Sequence, residues 1–135
     1  MKTYIVDTNL IIRFLTGDPA KQASIAAEFF QSCDAGKHVL KIPSIVVAET
    51  VFVLTGKIYA YPRKTVAMQL THFLNTPSFK VPELEILEKS LEIFANHKMD
   101  FADAYIAATA MIAGHSVVTF DSDFKLIKAL DALIL

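Results

Sequence analysis

The chain has 135 residues, of which 53% are hydrophobic and 20% charged, and its 13 Lys plus Arg against 14 Asp plus Glu leave a formal net charge of −1. That balance excludes a disordered chain, and the length suits one domain over residues 1–135 that buries a core without disulfide or metal staples. The longest apolar stretches, such as Ile45 to Ala48, fall far short of the ~20 residues of a bilayer span, and the single Cys33 rules out an internal disulfide or a thiolate zinc cluster. No membrane partner is expected, and with no secretory leader legible in MKTYIVDTNLIIRFL the expected location is the cytoplasm.

Lys2 to Val6 reads as a short buried strand that runs directly into Asp7, and Thr8 to Leu15 as a short helix. Gly17 stops that helix, and Asp18 as N-cap with Pro19 at the first helical position restarts one whose apolar face is Ala23, Ala26, Ala27 and Phe30 and which ends before Gly36. Val39 to Ile42 is a second strand. Pro43 to Gly56 is rich in β-branched residues, yet its length, Ser44 as cap and the terminal Gly56 predict a helix. Pro62 opens another helix, with Val66, Leu70, Phe73 and Leu74 on its apolar face and Asn75 and Pro77 closing it. After a short strand at Phe79 to Val81, Pro82 and Glu83 begin the clearest amphipathic helix, with Leu84, Leu87, Leu91, Phe94 and Ala95 on one face. Ala102 to Ala113 is an Ala-rich helix stopped by Gly114, and Ser116 to Phe120 is a strand delivering Asp121 at its end. A short helix from Asp123 and a strand at Ala132 to Leu135 complete the chain. Apolar strands alternating with helices predict an α/β fold with a parallel sheet covered on both faces, whose ligands bind beyond the carboxyl ends of the strands.

The acids away from the amphipathic surfaces are Asp7, Glu49, Asp100, Asp103, Asp121 and Asp123. Each has an ordinary reading: Asp7 and Asp100 as N-caps, Asp103 as a first-turn dipole residue, Asp121 and Asp123 as turn formers. Glu49 resists such a reading. Set in SIVVAETVFVL, it is expected to share a face with Ile45, Ala48 and Phe52 and to point toward the core side or the top of the sheet, where a carboxylate needs a partner; Arg13 is the candidate for a simple ion pair. Carboxylates that converge on one edge repel each other, and a divalent cation relieves that repulsion. Oxygen-only donors suit Mg²⁺ or Mn²⁺, one or two ions, and the chemistry such ions perform on phosphodiesters is hydrolysis. The four histidines, His38, His72, His97 and His115, have no paired ligand spacing.

YIVDTN, Glu49 in its helix opened by Pro43 and Ser44, MDFADAYIAATA and VVTFDSDF, in that order, resemble the PIN domain family, in particular the small toxins of the VapC type. The resemblance covers essentially the whole chain. It implies a five-stranded parallel sheet between helices and a Mg²⁺- or Mn²⁺-dependent endoribonuclease that cuts single-stranded RNA, tRNA or rRNA, leaving a 5′-phosphate and a 3′-hydroxyl. Carried onto this sequence, the catalytic and metal-holding quartet is Asp7, Glu49, Asp103 and Asp121. Thr8, Asn9, Thr119, Asp123 and Asp100 fall in supporting positions. Arg13, Lys41, Arg63 and Lys64 are candidates for holding the RNA backbone. A small antitoxin protein and a homodimer are the implied partners, with Phe14, Ile45, Val53 and Leu54 as a candidate receiving surface. A haloacid-dehalogenase-type phosphatase would want a second Asp where Asn9 stands. The remaining alternatives are a PIN-like module that binds RNA or protein without cutting, and a housekeeping RNA-processing nuclease.

Overall fold

In the computed structural model, which describes residues 1–135, five short strands alternate with six helices. The order is β1 (Thr3–Ile5), α1 (Thr8–Thr16), α2 (Ala20–Asp34), β2 (Val39–Lys41), α3 (Ser44–Thr55), α4 (Arg63–Leu74), β3 (Phe79–Lys80), α5 (Leu84–Asn96), α6 (Phe101–Ala113), β4 (Val117–Thr119), a 3-10 helix (Ser122–Leu126) and β5 (Ala132–Ile134). None of the helices is long and apolar enough to cross a membrane. The expected elements are all present, most of them a residue or two shorter than their sequence signals. The segment from Asp123 is 3-10 rather than α, and α2 starts at Ala20 with Pro19, not Asp18, at its cap.

Every strand pairing is parallel, as the continuous apolar strands require, but the strands do not form one five-stranded sheet. They divide into a three-stranded sheet of order β1-β2-β3 and a separate pair, β4-β5. In the first, Tyr4 faces Leu40 and Leu40 faces Phe79; in the second, Val118 faces Leu133. This corrects the single sheet that the resemblance implies. One consequence is exposure at the strands: Ile5, Val118 and Leu133 all lie open to solvent.

The core fills the space between the three-stranded sheet and the helices, with Ile11, Ile12, Leu40, Ile42, Val47, Leu54, Leu70, Leu87 and Leu91 fully enclosed. Helix α5 packs between α4 and α6, and α3 packs on α1, α4 and α6. An aromatic cluster of Phe14, Phe30, Phe73 and Phe79 joins α1, α2, α4 and β3 through edge-on and tilted contacts with centroids 5.0 to 5.7 Å apart. Helices α1 and α6 both end on a left-handed glycine, Gly17 at φ 71° and Gly114 at φ 70°, where a Cβ would be strained. The second of these turns the chain into β4 and so sets where Asp121 arrives.

Candidate active site

Four of the expected acids stand at two junctions that meet. Asp100 occupies the N-cap position of α6 and Asp103 its first turn; Asp121 follows β4 and opens the 3-10 helix, with Asp123 inside it. The Asp103 carboxyl is half-buried, and its pKa lies above the ordinary carboxylate range, first because burial penalises the charged form and then because Asp100, Asp121 and Asp123 repel it. No cation offsets that repulsion at contact distance: the one salt bridge of the chain is Lys89 with Glu92 on α5, at 3.6 Å.

The turn that presents Asp121 is built locally. The Thr119 hydroxyl accepts a hydrogen bond from the Asp121 backbone N–H at 3.0 Å, and the Asp121 carboxylate accepts one from the Asp123 backbone N–H at 2.9 Å. Thr119 therefore supports Asp121 through the backbone, and Asp121 is the one acid of the set that caps a helix with its side chain. Asp7 and Asp100 sit at N-cap positions of α1 and α6, yet neither carboxylate makes a capping bond. Their ordinary readings as caps thus leave both carboxylates unspent.

Asp7 follows β1, and with Asn9 it opens onto a cavity of about 450 Å³ walled by Tyr4, Ile25 and Phe29 and edged by Arg13 and Gln22. Thr8 is buried as the first residue of α1. Arg13 donates to the Gln22 side-chain carbonyl at 3.0 Å and to the Tyr59 hydroxyl at 3.4 Å, so it makes no ion pair with Glu49.

Glu49 does not face the core. Helix α3 is apolar all round, so periodicity alone does not choose its inner face; the enclosed residues are Val47, Thr50, Val51 and Leu54, at spacings of three, one and three. Glu49 shares the opposite, outward face with Ile45 and Phe52, 77% and 78% exposed. The grouping with Ile45 and Phe52 expected from the sequence holds, and of the two expected directions the core side is excluded. The same rotation removes Leu54, 0% exposed, from the expected receiving surface, while Phe14 remains exposed on α1.

Arg63 has a structural role that the sequence did not announce. Its guanidinium donates to the Phe94 carbonyl (3.1 and 2.9 Å), the His97 carbonyl (2.8 Å) and the Met99 carbonyl (2.5 Å), and lies 3.5 Å above the Phe94 ring. Burial lowers its pKa, and the charge of Asp100 opposes that shift. Its Nε and one of its two Nη atoms are thus committed to the end of α5. Lys41 and Lys64 remain exposed. The sequence carried no signal for this role, because Arg63 is held by backbone carbonyls, which every residue has.

As the side chains stand, no three carboxylate, imidazole or thiol groups converge closely enough to hold an ion. The donor set nonetheless fits a hard divalent cation: half-buried and exposed carboxylates share one field, and none of them forms a salt bridge. A family model, that of the PIN domain, matches residues 4–130. The chain belongs to the PIN domain family. It is 25% identical over 122 residues to the VapC ribonuclease of Aquifex aeolicus (strain VF5), a match covering 90% of this chain and 89% of that protein. Within this PIN domain the group placed together is Asp100, Asp103, Asp121 and Asp123, while Asp7 and Glu49 lie on other elements, at the start of α1 and on the outward face of α3.

Proposed function

We propose that this PIN domain, one domain over residues 1–135, is a Mg²⁺- or Mn²⁺-dependent endoribonuclease and the toxin of a toxin-antitoxin pair. The observation that carries the reading is the crowding of Asp100, Asp121 and Asp123 around the half-buried Asp103, with no salt bridge to any of the four. A fold with no use for that charge would gain from an amide there. In this reading Asp7, Glu49, Asp103 and Asp121 are the oxygen donors for one or two ions. When bound, such an ion supplies Lewis-acid polarisation of the phosphodiester and ionises water near neutral pH.

The chain's own residues then have distinct tasks. Asp103, half-buried, holds the charge that draws the cation in; Thr119 and the Asp123 backbone fix the Asp121 turn. Asn9 lies beside Asp7 at the mouth of the adjoining cavity, with Thr8 buried beneath them, and Asp100 and Asp123 add negative potential. Arg13, Lys41 and Lys64 hold the RNA backbone by charge. The VapC ribonuclease likeness supports RNA as substrate and an antitoxin as partner. In this reading the RNA is single-stranded, the place of action is the cytoplasm, and the chain forms a homodimer to which exposed Ile45 and Ile106 would add apolar area.

The test is cleavage of a mixed tRNA and rRNA pool with Mn²⁺, Mg²⁺ or EDTA by wild type, Asp7→Asn and Glu49→Gln. Metal-dependent cutting by the wild type is expected, with each substitution lowering the rate by ~10²-fold or more. Because both side chains are exposed and bonded to nothing, their thermal stability should stay within about 0.5 kcal/mol of wild type. A folded, inhibitor-free wild type that binds RNA without cutting it under any metal condition would replace this reading with the binding module.

A further inference from the structure

Glu83 stands at the N-cap position of α5 but its side chain makes no cap. Its Oε1 instead accepts a hydrogen bond from the Ser44 hydroxyl and another, at 2.7 Å, from the Tyr105 hydroxyl. Ser44 is the first residue of α3, where the sequence had suggested a cap; Pro43 takes that position, which frees the hydroxyl for Glu83. Tyr105 lies on α6. One carboxylate oxygen therefore ties together two helices whose bonded residues are 39 and 22 positions away from it in the chain. Those two hydrogen bonds hold the Glu83 carboxyl below its usual range, and the bond to Glu83 raises the pKa of the Tyr105 phenol.

The helices so joined are the carriers of Glu49 and Asp103. Glu49 is about 7 Å along α3 from Ser44, and Asp103 about 3 Å along α6 from Tyr105. No other side-chain hydrogen bond links α3 to α6, directly or through one residue. The two helices also pack on each other, and beside that contact lies a largely apolar cavity of about 340 Å³ lined by Ser44, Ile45, Ala48, Phe101, Tyr105 and Ile106 among others, so the Glu83 bridge is the polar, directional part of their contact. The Glu83 backbone is tied into α5, since its carbonyl accepts the Leu87 N–H at 2.9 Å in the first turn.

We propose that Glu83 is a positioning residue: by gripping Ser44 and Tyr105 it sets the separation of the Glu49-bearing and Asp103-bearing helices and so the spacing of the acids that hold the cation. It rests on the nuclease reading for the use of that spacing, but the spacing itself can be measured without it. The substitutions are Glu83→Ala, which removes the acceptor, and Glu83→Gln, whose amide oxygen still accepts both hydrogen bonds.

Mn²⁺ affinity, read without RNA from the magnetic resonance signal of the free ion, should fall by ~10–100-fold in Glu83→Ala, the range typical of groups that orient metal ligands, and by less than about threefold in Glu83→Gln. A second measurement places spin labels at Phe52→Cys on α3 and Thr109→Cys on α6 in a Cys33→Ala background. A narrow distance distribution is expected for wild type and Glu83→Gln, and a broadened or shifted one for Glu83→Ala. An unchanged distribution in Glu83→Ala overturns the proposal, as does unchanged Mn²⁺ affinity in a folded Glu83→Ala. Failure of the nuclease reading gives a different pattern: no Mn²⁺ binding or cleavage by the wild type while its labels report the narrow distance. In that case the role of Glu83 toward the cation falls too.

Discussion

Replacing Asp103 with Asn is expected to abolish cleavage, by ~10²–10³-fold or more, while making the metal-free protein slightly more stable at neutral pH. The two effects share one cause. In the fold Asp103 is half-buried and repelled by Asp100, Asp121 and Asp123, so its pKa is raised above that of the unfolded chain. A raised carboxyl pKa means that the native state binds the proton more tightly than the unfolded state does. Its favourable contribution is complete below the ordinary carboxylate range and is lost as pH climbs through the raised value, leaving a penalty above it. The amide carries no such penalty. Because the group remains in contact with solvent, the gain should stay under about 1 kcal/mol. Thermal unfolding from acid to neutral pH checks the sign: the advantage of Asp103→Asn should shrink as the solution is made acidic. Added Mn²⁺ should reverse the order by stabilising the wild type alone. An Asp103→Asn protein less stable than wild type at neutral pH without metal would show that the carboxylate serves the fold.

The largest effect on stability is expected at Arg63. Its fork closes on the carbonyls of Phe94, His97 and Met99 and stacks on the Phe94 ring, so it finishes α5 and shapes the turn that leads to Asp100. Carbonyls at a helix end favour a cation, and hydrogen bonds to a charged group are each worth more than neutral ones. Arg63→Ala should cost about 3 kcal/mol and lower the melting temperature by roughly 10 °C. Arg63→Lys should recover only part of this, since an ammonium on a flexible stem reaches fewer of the carbonyls than a planar fork does. Denaturant unfolding of the three proteins measures the difference. If Arg63 instead served RNA, both substitutions would weaken substrate binding and leave the unfolding midpoint where it was.

The local grammar of this chain is easy to read. Pro43 and Gly56 bracket α3, Pro62 and Asn75 bracket α4, and Gly114 ends α6, so helix placement follows from caps and breakers even where Val and Ile favour strands. The acids at the ends of β1 and β4 could be found for the same reason, because a strand that runs into Asp is a contiguous signal. What the sequence hides is orientation and pairing. Helix α3 is apolar on every side, and the face turned inward at Val47, Thr50, Val51 and Leu54 is chosen by α1, α4 and α6, not by its own pattern. The division of the strands depends on which edges meet, and that is tertiary. Arg63 and Glu83 were missed in different ways: one answers to backbone carbonyls, and the other to two hydroxyls remote in the chain, with neither pattern confined to a window of sequence.

The divided sheet has a thermodynamic consequence. Asp7 hangs from the three-stranded sheet, whereas Asp121 and Asp123 hang from the two-stranded unit, where only Val117, Phe124 and Ile127 are well buried. Segments with so little enclosed apolar surface open locally at lower free energy than the body they lean on. A ligand that grips acids on both units must close that local equilibrium, and the work of doing so is subtracted from its intrinsic affinity. Affinity at the site is thereby made a property of Phe124 and Ile127 as well: packing residues that carry no polar atom for a ligand help decide how tightly it is held.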